Sequence, residues 1–248
     1  MDGVKMTKYA QLMALGAIAA LAACDKPAPT AAAPAAATAK TVAGDWLNQV
    51  VATPEGGIRV GNPDAKVKLL EFASLTCPHC REFQEQGMPT VRSKYIASGN
   101  MSYEFRPFIL NGIDFAPSLL VRCQSSPAAG LALLDAFYAT QQSWTVPFTK
   151  LTPEDTKRLQ ALPPAEQIKG LALAGGLDGF MRTRGQPRAK FDQCLTDKAG
   201  IDQLSKIRDE AVSKYELTGT PTFVLNGVTQ KDVYNWEKLQ PKLVTALQ

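Results

Sequence analysis

From Val67 to Cys80 the chain runs Val-Lys-Leu-Leu-Glu-Phe-Ala-Ser-Leu-Thr-Cys-Pro-His-Cys, and no other passage constrains the fold as tightly. The Val- and Leu-rich run from Val67 to Phe72 predicts a buried strand that breaks at Ser74–Thr76. Pro78 suits the first turn of a helix, where its missing N–H costs nothing, so Cys77 falls at the cap of that helix. A thiol there meets unpaired N–H groups and the positive end of the helix dipole, and both favour thiolate over thiol. His79 adds a donor able to carry positive charge beside the same sulfur. Cys80, three residues on, shares the helix face and can close a small disulfide ring with Cys77. The passage describes a redox dithiol poised towards its reduced form.

Two plainer readings compete. A zinc site needs four ligands, usually two such pairs or one pair with two His. The chain has one Cys-x-x-Cys, one His, and its other cysteines far apart, so no metal is expected. A purely structural bridge is the second alternative, although so tight a ring is usually exchangeable. No bound cofactor is expected either, because the Cys77–Cys80 pair itself carries the electrons.

The start of the chain speaks to compartment. Lys5 and Lys8 precede an apolar core, Leu12 to Ala23, too short for the roughly 20 residues of a membrane span. Leu21-Ala22-Ala23-Cys24 is similar to the bacterial lipobox, in which the Cys is acylated and becomes the new N-terminus. Residues 1–23 are then a signal peptide and Cys24 carries lipid. The alternative, an ordinary cleaved signal, leaves Cys24 as an odd thiol in an oxidising space, a liability. Asp25, by resemblance to enterobacterial sorting, favours the inner membrane. Residues 24–44 are Ala-, Pro- and Thr-rich, with Pro27, Pro29 and Pro34 preventing a continuous helix, and read as a tether. The folded part is expected to face the periplasm, where disulfides persist.

About two hundred residues follow, enough for one domain with an inserted lobe. Lys and Arg exceed Asp and Glu by four, with no basic cluster interleaved with aromatics, which argues against nucleic acid. Short strands are expected at Ile58–Val60 and Val67–Phe72, a helix over 78–97 interrupted near Gly87-Met88-Pro89, and a strand over Met101–Ile109. That is a βαβ unit. Helices separated by Pro and Gly breaks then fill 111–214, among them Pro117–Gln124, Ala128–Gln142, Pro153–Gln160, Pro164–Ala174, Pro187–Thr196 and Ile201–Glu216. Strand patterning returns at Thr222–Leu225, where Asn226-Gly227 signals a hairpin to Val228–Gln230. A helix from about Val233 to Leu247 ends the chain. The expected class is α/β: a thioredoxin-like fold over 45–110 and 215–248, with an inserted helical domain over 111–214.

Three further places bear on chemistry. Thr220-Pro221 directly precedes the hairpin. It is either a simple strand start or, in the thioredoxin-type arrangement, a cis proline packed against the dithiol that frees the preceding backbone for substrate. Glu71 interrupts an apolar strand. On a solvated edge it is inert; in a strand covered on both faces it has a raised pKa and can exchange protons with Cys80. Cys123 and Cys194, on separate expected helices, form a structural bridge in an oxidising space. Two inert thiols, or a second redox pair, are the alternatives.

The run Leu70 to Cys80, the Gly-Thr-Pro-Thr-Phe of Gly219 to Phe223, and the helical insert between them resemble the DsbA family of periplasmic thiol oxidoreductases. The resemblance covers about Asp45 to the end. It implies Cys77 as the exposed nucleophile, Cys80 as its buried partner, His79 as stabiliser of the thiolate, Glu71 as the buried acid and Pro221 as the cis proline. Pro78, Thr220 and Pro221 would line the substrate site. Implied partners are reduced exported proteins and a membrane quinone-linked reoxidising protein. Cys123, Cys194 and the lipobox are similar to the alphaproteobacterial branch, which includes lipid-anchored members. One departure stands out: Thr220 occupies a place where the best-known oxidases carry Val, and Thr there is similar to the disulfide isomerases.

The expected activity is donation of the Cys77–Cys80 disulfide to exported proteins, by a monomer. A disulfide isomerase or reductase of the same fold is the nearer rival, although such isomerases usually dimerise through an added N-terminal domain that the tether cannot supply. A lipid-anchored peptide-binding protein is the rival of another class, and the intact dithiol speaks against it.

Overall fold

The computed structural model describes residues 45–248, which pack as one unit. The expected signal peptide, the tether and Cys24 lie outside the described residues. A short 3-10 turn, Trp46–Asn48, leads into strands β1 (Val50–Ala52), β2 (Ile58–Gly61) and β3 (Val67–Ala73). Helix α1 (Pro78–Gln86) and the single turn α2 (Met88–Thr90) follow, and a π-helical stretch, Val91–Ile96, leads to strand β4 (Met101–Pro107). The interruption expected near Gly87 follows from Pro89, which has no N–H to give. Gly87 is required for a separate reason, since any side chain there would meet the Phe83 ring at 2.7 Å and the Trp236 ring at 2.8 Å.

Between β4 and the next strand lie α3 (Phe115–Arg122), α4 (Pro127–Ala139), α5 (Gln141–Trp144), α6 (Pro153–Gln160), α7 (Pro164–Ala174), α8 (Leu177–Arg182), α9 (Arg188–Leu195) and α10 (Lys198–Tyr215). Strands β5 (Thr222–Leu225) and β6 (Val228–Thr229) form the hairpin, and α11 (Trp236–Leu247) closes the chain. Asn226 (φ 49°) and Gly227 (φ 83°) both adopt the left-handed conformation that a two-residue hairpin turn requires. β1 and α8 were not expected. β1 is three half-exposed residues with no readable alternation, and α8 is a six-residue segment that starts after Gly176 (φ 74°) and contains Gly179.

Among the described residues the sheet order is β1-β2-β4-β3-β5-β6. β3 is central, parallel to β4 and antiparallel to β5. Its two faces are covered differently. Val67, Leu69 and Ala73 join the large core with Phe83 of α1 and Leu133, Leu134 and Phe137 of α4. Phe72, with Leu70 beside it, packs on Ile207, Ala211 and Leu217. This is the thioredoxin-like α/β fold, with a helical insertion. No helix among the described residues is long and apolar enough to cross a membrane.

Cys123, just after α3, is bonded to Cys194 of α9, closing a loop of 71 positions. Closing so long a loop restricts the unfolded chain by about 3–4 kcal/mol. The Cys123→Ala, Cys194→Ala double variant is therefore expected to lose about that much stability in urea unfolding. A loss under about 1 kcal/mol would show that the α3–α9 packing carries the lobe without the bond.

Candidate active site

The end of β3 is held in place before any sulfur chemistry begins. Asp114, completely buried, caps the turn ahead of α3 and collects the polar groups of two loops. Its carboxylate accepts from Ser74 Oγ (2.8 and 3.0 Å) and from the backbone N–H groups of Thr76 (3.0 Å), Leu110 (2.9 Å) and Asn111 (3.2 Å). From the lobe, Gln141 Nε2 donates to the carbonyls of Leu75 (2.8 Å) and Cys77 (2.9 Å), and the Tyr138 hydroxyl donates to Ser74 O at 3.1 Å. The segment delivering Cys77 is thus fixed by three side chains of the helical insertion. Asp114→Ala leaves the Leu110 and Asn111 N–H groups without an acceptor inside the protein and removes the shared partner of Ser74 and Thr76. It is expected to cost about 2–4 kcal/mol, read as a lowered midpoint in denaturant. An unchanged midpoint would mean that water replaces the carboxylate.

Cys77 caps α1 in extended conformation (φ −78°, ψ 121°), with Pro78 opening the helix. Both cysteines are free thiols. The Cys77 thiol donates to the carbonyl of Thr220 at 3.2 Å, and the Thr220–Pro221 bond is cis. Several donors converge on the Cys77 sulfur once it ionises. The Cys80 thiol contributes most. The Thr220 hydroxyl, buried and without a partner while Cys77 is a thiol, comes next, followed by the backbone N–H groups of Cys80 and His79. Burial opposes them and loses, so the Cys77 pKa falls from the ordinary 9.0 to about 6. Cys80 goes the other way: burial, its bond to Cys77 and the nearby Glu71 push it well above 9.0. One sulfur is an anion at neutral pH and the other a thiol. That asymmetry defines a nucleophile and its resolving partner.

Two expectations require correction. Cys77, expected as the exposed member, is only 4 % exposed against 0 % for Cys80, with its thiol turned onto the Thr220 carbonyl. The His79 side chain does not face the sulfur. It is 66 % exposed, its Nδ1 lies 3.1 Å from Glu82 Oε2, and His79 reaches Cys77 through its backbone N–H. At that position in the first turn the side chain splays outward, where Glu82 is its neighbour one turn on.

Glu71 sits in mid-strand, opposite Phe105 of β4 and Phe223 of β5, with no exposed surface. Its Oε2 accepts from the Tyr103 hydroxyl at 2.5 Å and from Gln84 Nε2 at 3.4 Å. Burial dominates these bonds and, with the charge of Cys77, raises its pKa from 4.5 to about 8. The carboxyl is therefore mostly protonated at neutral pH, a proton store beside a dithiol.

Asp114, Gln141, Tyr138, Tyr103 and Gln84 escaped the sequence reading. Asn111-x-x-Asp114 is a capping pattern that could have pointed to Asp114. Gln141 and Tyr138 act on backbone more than sixty residues away and leave no local signal.

A family model described as thioredoxin matches residues 53–243. A crystal structure described as protein-disulfide isomerase, from Novosphingobium aromaticivorans, is 30 % identical with a TM-score of 0.74, covering 77 % of this chain and 96 % of that one. Wolbachia pipientis alpha-DsbA1 shares the fold at 23 % identity and TM-score 0.61, over 82 % of this chain and 95 % of that one. A Rickettsia bellii protein described as a protein-disulfide oxidoreductase is 24 % identical over 194 residues, 78 % of this chain. The chain spans 66 % of the length of that relative and 60 % of its Rickettsia prowazekii counterpart. The chain belongs to the thioredoxin family.

Proposed function

We propose that this protein donates the Cys77–Cys80 disulfide to reduced exported proteins. A substrate thiolate attacks Cys77, the bond to Cys80 breaks, and a mixed disulfide forms. The substrate's second thiolate then attacks that bond and expels Cys77 as a thiolate, leaving the substrate oxidised and the dithiol reduced. Glu71 gives Cys80 its proton at the first step. The Thr220 carbonyl accepts from Cys77 just ahead of the cis Pro221, so the Thr220 backbone is the main chain beside the dithiol for a substrate segment to pair with. The observation that carries the reading is the placement of the pair, Cys77 at the N-terminus of α1 with its sulfur 3.2 Å from the Thr220 carbonyl and Cys80 fully buried. That placement sets their ionisations in opposite directions. A good leaving group at Cys77 makes loss of the disulfide favourable.

The periplasm as the site of action, lipid attachment at Cys24 with anchoring in the inner membrane, and recharging by a quinone-linked membrane protein complete the proposal. They rest on the lipobox-like tetrad and on the family resemblance.

Thr220 favours a second reading, isomerisation, as does the 30 % identical protein described as an isomerase. Equilibrating the dithiol with glutathione and assaying two substrates separates them. A donor holds its reduced form against a glutathione buffer and oxidises a reduced unfolded protein. Activity confined to scrambled ribonuclease would favour the isomerase. A disulfide more stable than that of glutathione would contradict donation.

A further inference from the structure

Glu71 has no surface of its own, so its proton must travel. Hydrophobic side chains oppose it on both neighbouring strands, and its Oε1 is buried without a partner among the described residues. The groups that touch its Oε2 are Tyr103 and Gln84. Tyr103 is itself fully buried, and its hydroxyl accepts from Gln84 Nε2 at 3.1 Å. Gln84 alone of the two reaches outward. It forms the inner wall of a cleft of about 240 Å³ between α1, α2 and α4, which Met88, Arg92, Asp135 and Tyr138 also line. The lining of this cleft is mostly apolar, and the Arg92–Asp135 ion pair (2.7 Å), with Gln84 and Glu85, gives water its polar partners there.

We propose that this cleft is the proton port of the buried dithiol, with Gln84 its gate and Tyr103 the positioning residue that fixes Glu71. The proposal rests on Glu71 serving as the acid in the exchange. When substrate attack breaks the Cys77–Cys80 bond, the electron pair leaves on Cys80 and Glu71 gives up its proton there. Because Tyr103 and Gln84 both hold Oε2, Oε1 is the oxygen free to carry that proton. The carboxylate left behind takes a proton from cleft water when the Gln84 side chain swings aside. The attacking substrate thiol has released one proton to bulk water, so none is gained or lost at this step; the second substrate thiol then releases one more, because Cys77 leaves as a thiolate. An amide relays protons poorly, which is why Gln84 gates the path and does not conduct.

The charged and titratable groups around Glu71 are Cys77 and Cys80 from the α1 side, Tyr103 from β4 and Tyr138 from α4, with Arg92 and Asp135 beyond Tyr103 at the cleft. All are unchanged in the test variants. The carboxyl infrared band of Glu71, identified by its loss in Glu71→Gln, is titrated in the reduced protein carrying Gln84→Ala or Gln84→Leu. Gln84→Ala opens the cleft to Glu71, and the midpoint is expected to fall by about one pH unit or more as water reaches the carboxylate. Gln84→Leu removes the donor but keeps the gate shut, so the midpoint is expected to rise. Gln84→Asn, which keeps an amide but shortens it, replaces Gln84→Ala if that variant does not fold, with the same expected fall. Opposite senses support the port. Any other pattern, including a rise in both variants, overturns it. Because the band reports Glu71 alone, this test can fail while disulfide donation stands, and the glutathione equilibrium can fail while the port stands.

Discussion

Glu71→Gln is expected to make the reduced protein more stable by about 3 kcal/mol at pH 7, and by about 5 kcal/mol above pH 8. The carboxyl titrates at 4.5 when unfolded and near 8 when folded. Between those values the folded protein binds a proton that the unfolded chain has released, so stability falls as pH rises. The stability that the protonated carboxyl allows is complete below pH 4.5, and is lost as pH climbs towards and through 8. Gln keeps an oxygen for the Tyr103 hydroxyl. Its amide puts a donor where the protonated acid already had one, so little new polar cost arises. Urea unfolding across pH 4 to 9 checks this: the two proteins should match at the acid end and diverge steadily. Equal stability at pH 8 would mean that Glu71 is ionised without penalty. The gain in stability should come with slower release of Cys80, since the stored proton is gone.

Cys77→Ser and Cys80→Ala are each expected to abolish disulfide donation, and Cys80→Ala also to trap mixed disulfides. Without Cys77 there is no disulfide to give and no sulfur that is anionic at neutral pH. Without Cys80, Cys77 still exchanges with an oxidised substrate but cannot be released internally, so mixed disulfides through Cys77 should accumulate and be visible on non-reducing gels. The Cys80 thiol is also the main donor to the Cys77 thiolate. Its removal should therefore raise the Cys77 pKa as well as trap the intermediate. Residual oxidation of substrate by Cys77→Ser would contradict the mechanism, as would an unaltered Cys77 titration in Cys80→Ala.

What the sequence disclosed and what it withheld divide along a physical line. The strand entering the dithiol, the Pro-led helix, the Asn-Gly hairpin and several lobe helices depend on neighbours within a few residues, and were legible. Two lobe helices, Pro153–Gln160 and Pro164–Ala174, begin and end where the pattern placed them. β1 was hidden because three residues cannot display alternation. His79 misled because sequence proximity says nothing about direction: its main chain serves the sulfur while its ring faces Glu82. Asp114 and Gln141, which hold the loop of Cys77, act across distances that no local pattern encodes. The chemistry of the dithiol was readable; the supports that aim it were not.

The account stands on Cys77 being an anion in the reduced protein at neutral pH. With its pKa at about 6 instead of 9.0, ionisation shifts the dithiol towards the reduced state by about tenfold at pH 7. That contribution is fullest above pH 9 and vanishes as pH falls through 6. Thiolate absorbance of the reduced protein, titrated with and without Cys77→Ser, measures it directly. A Cys77-dependent midpoint near 6 is the predicted result, and a midpoint near 9 would contradict the account.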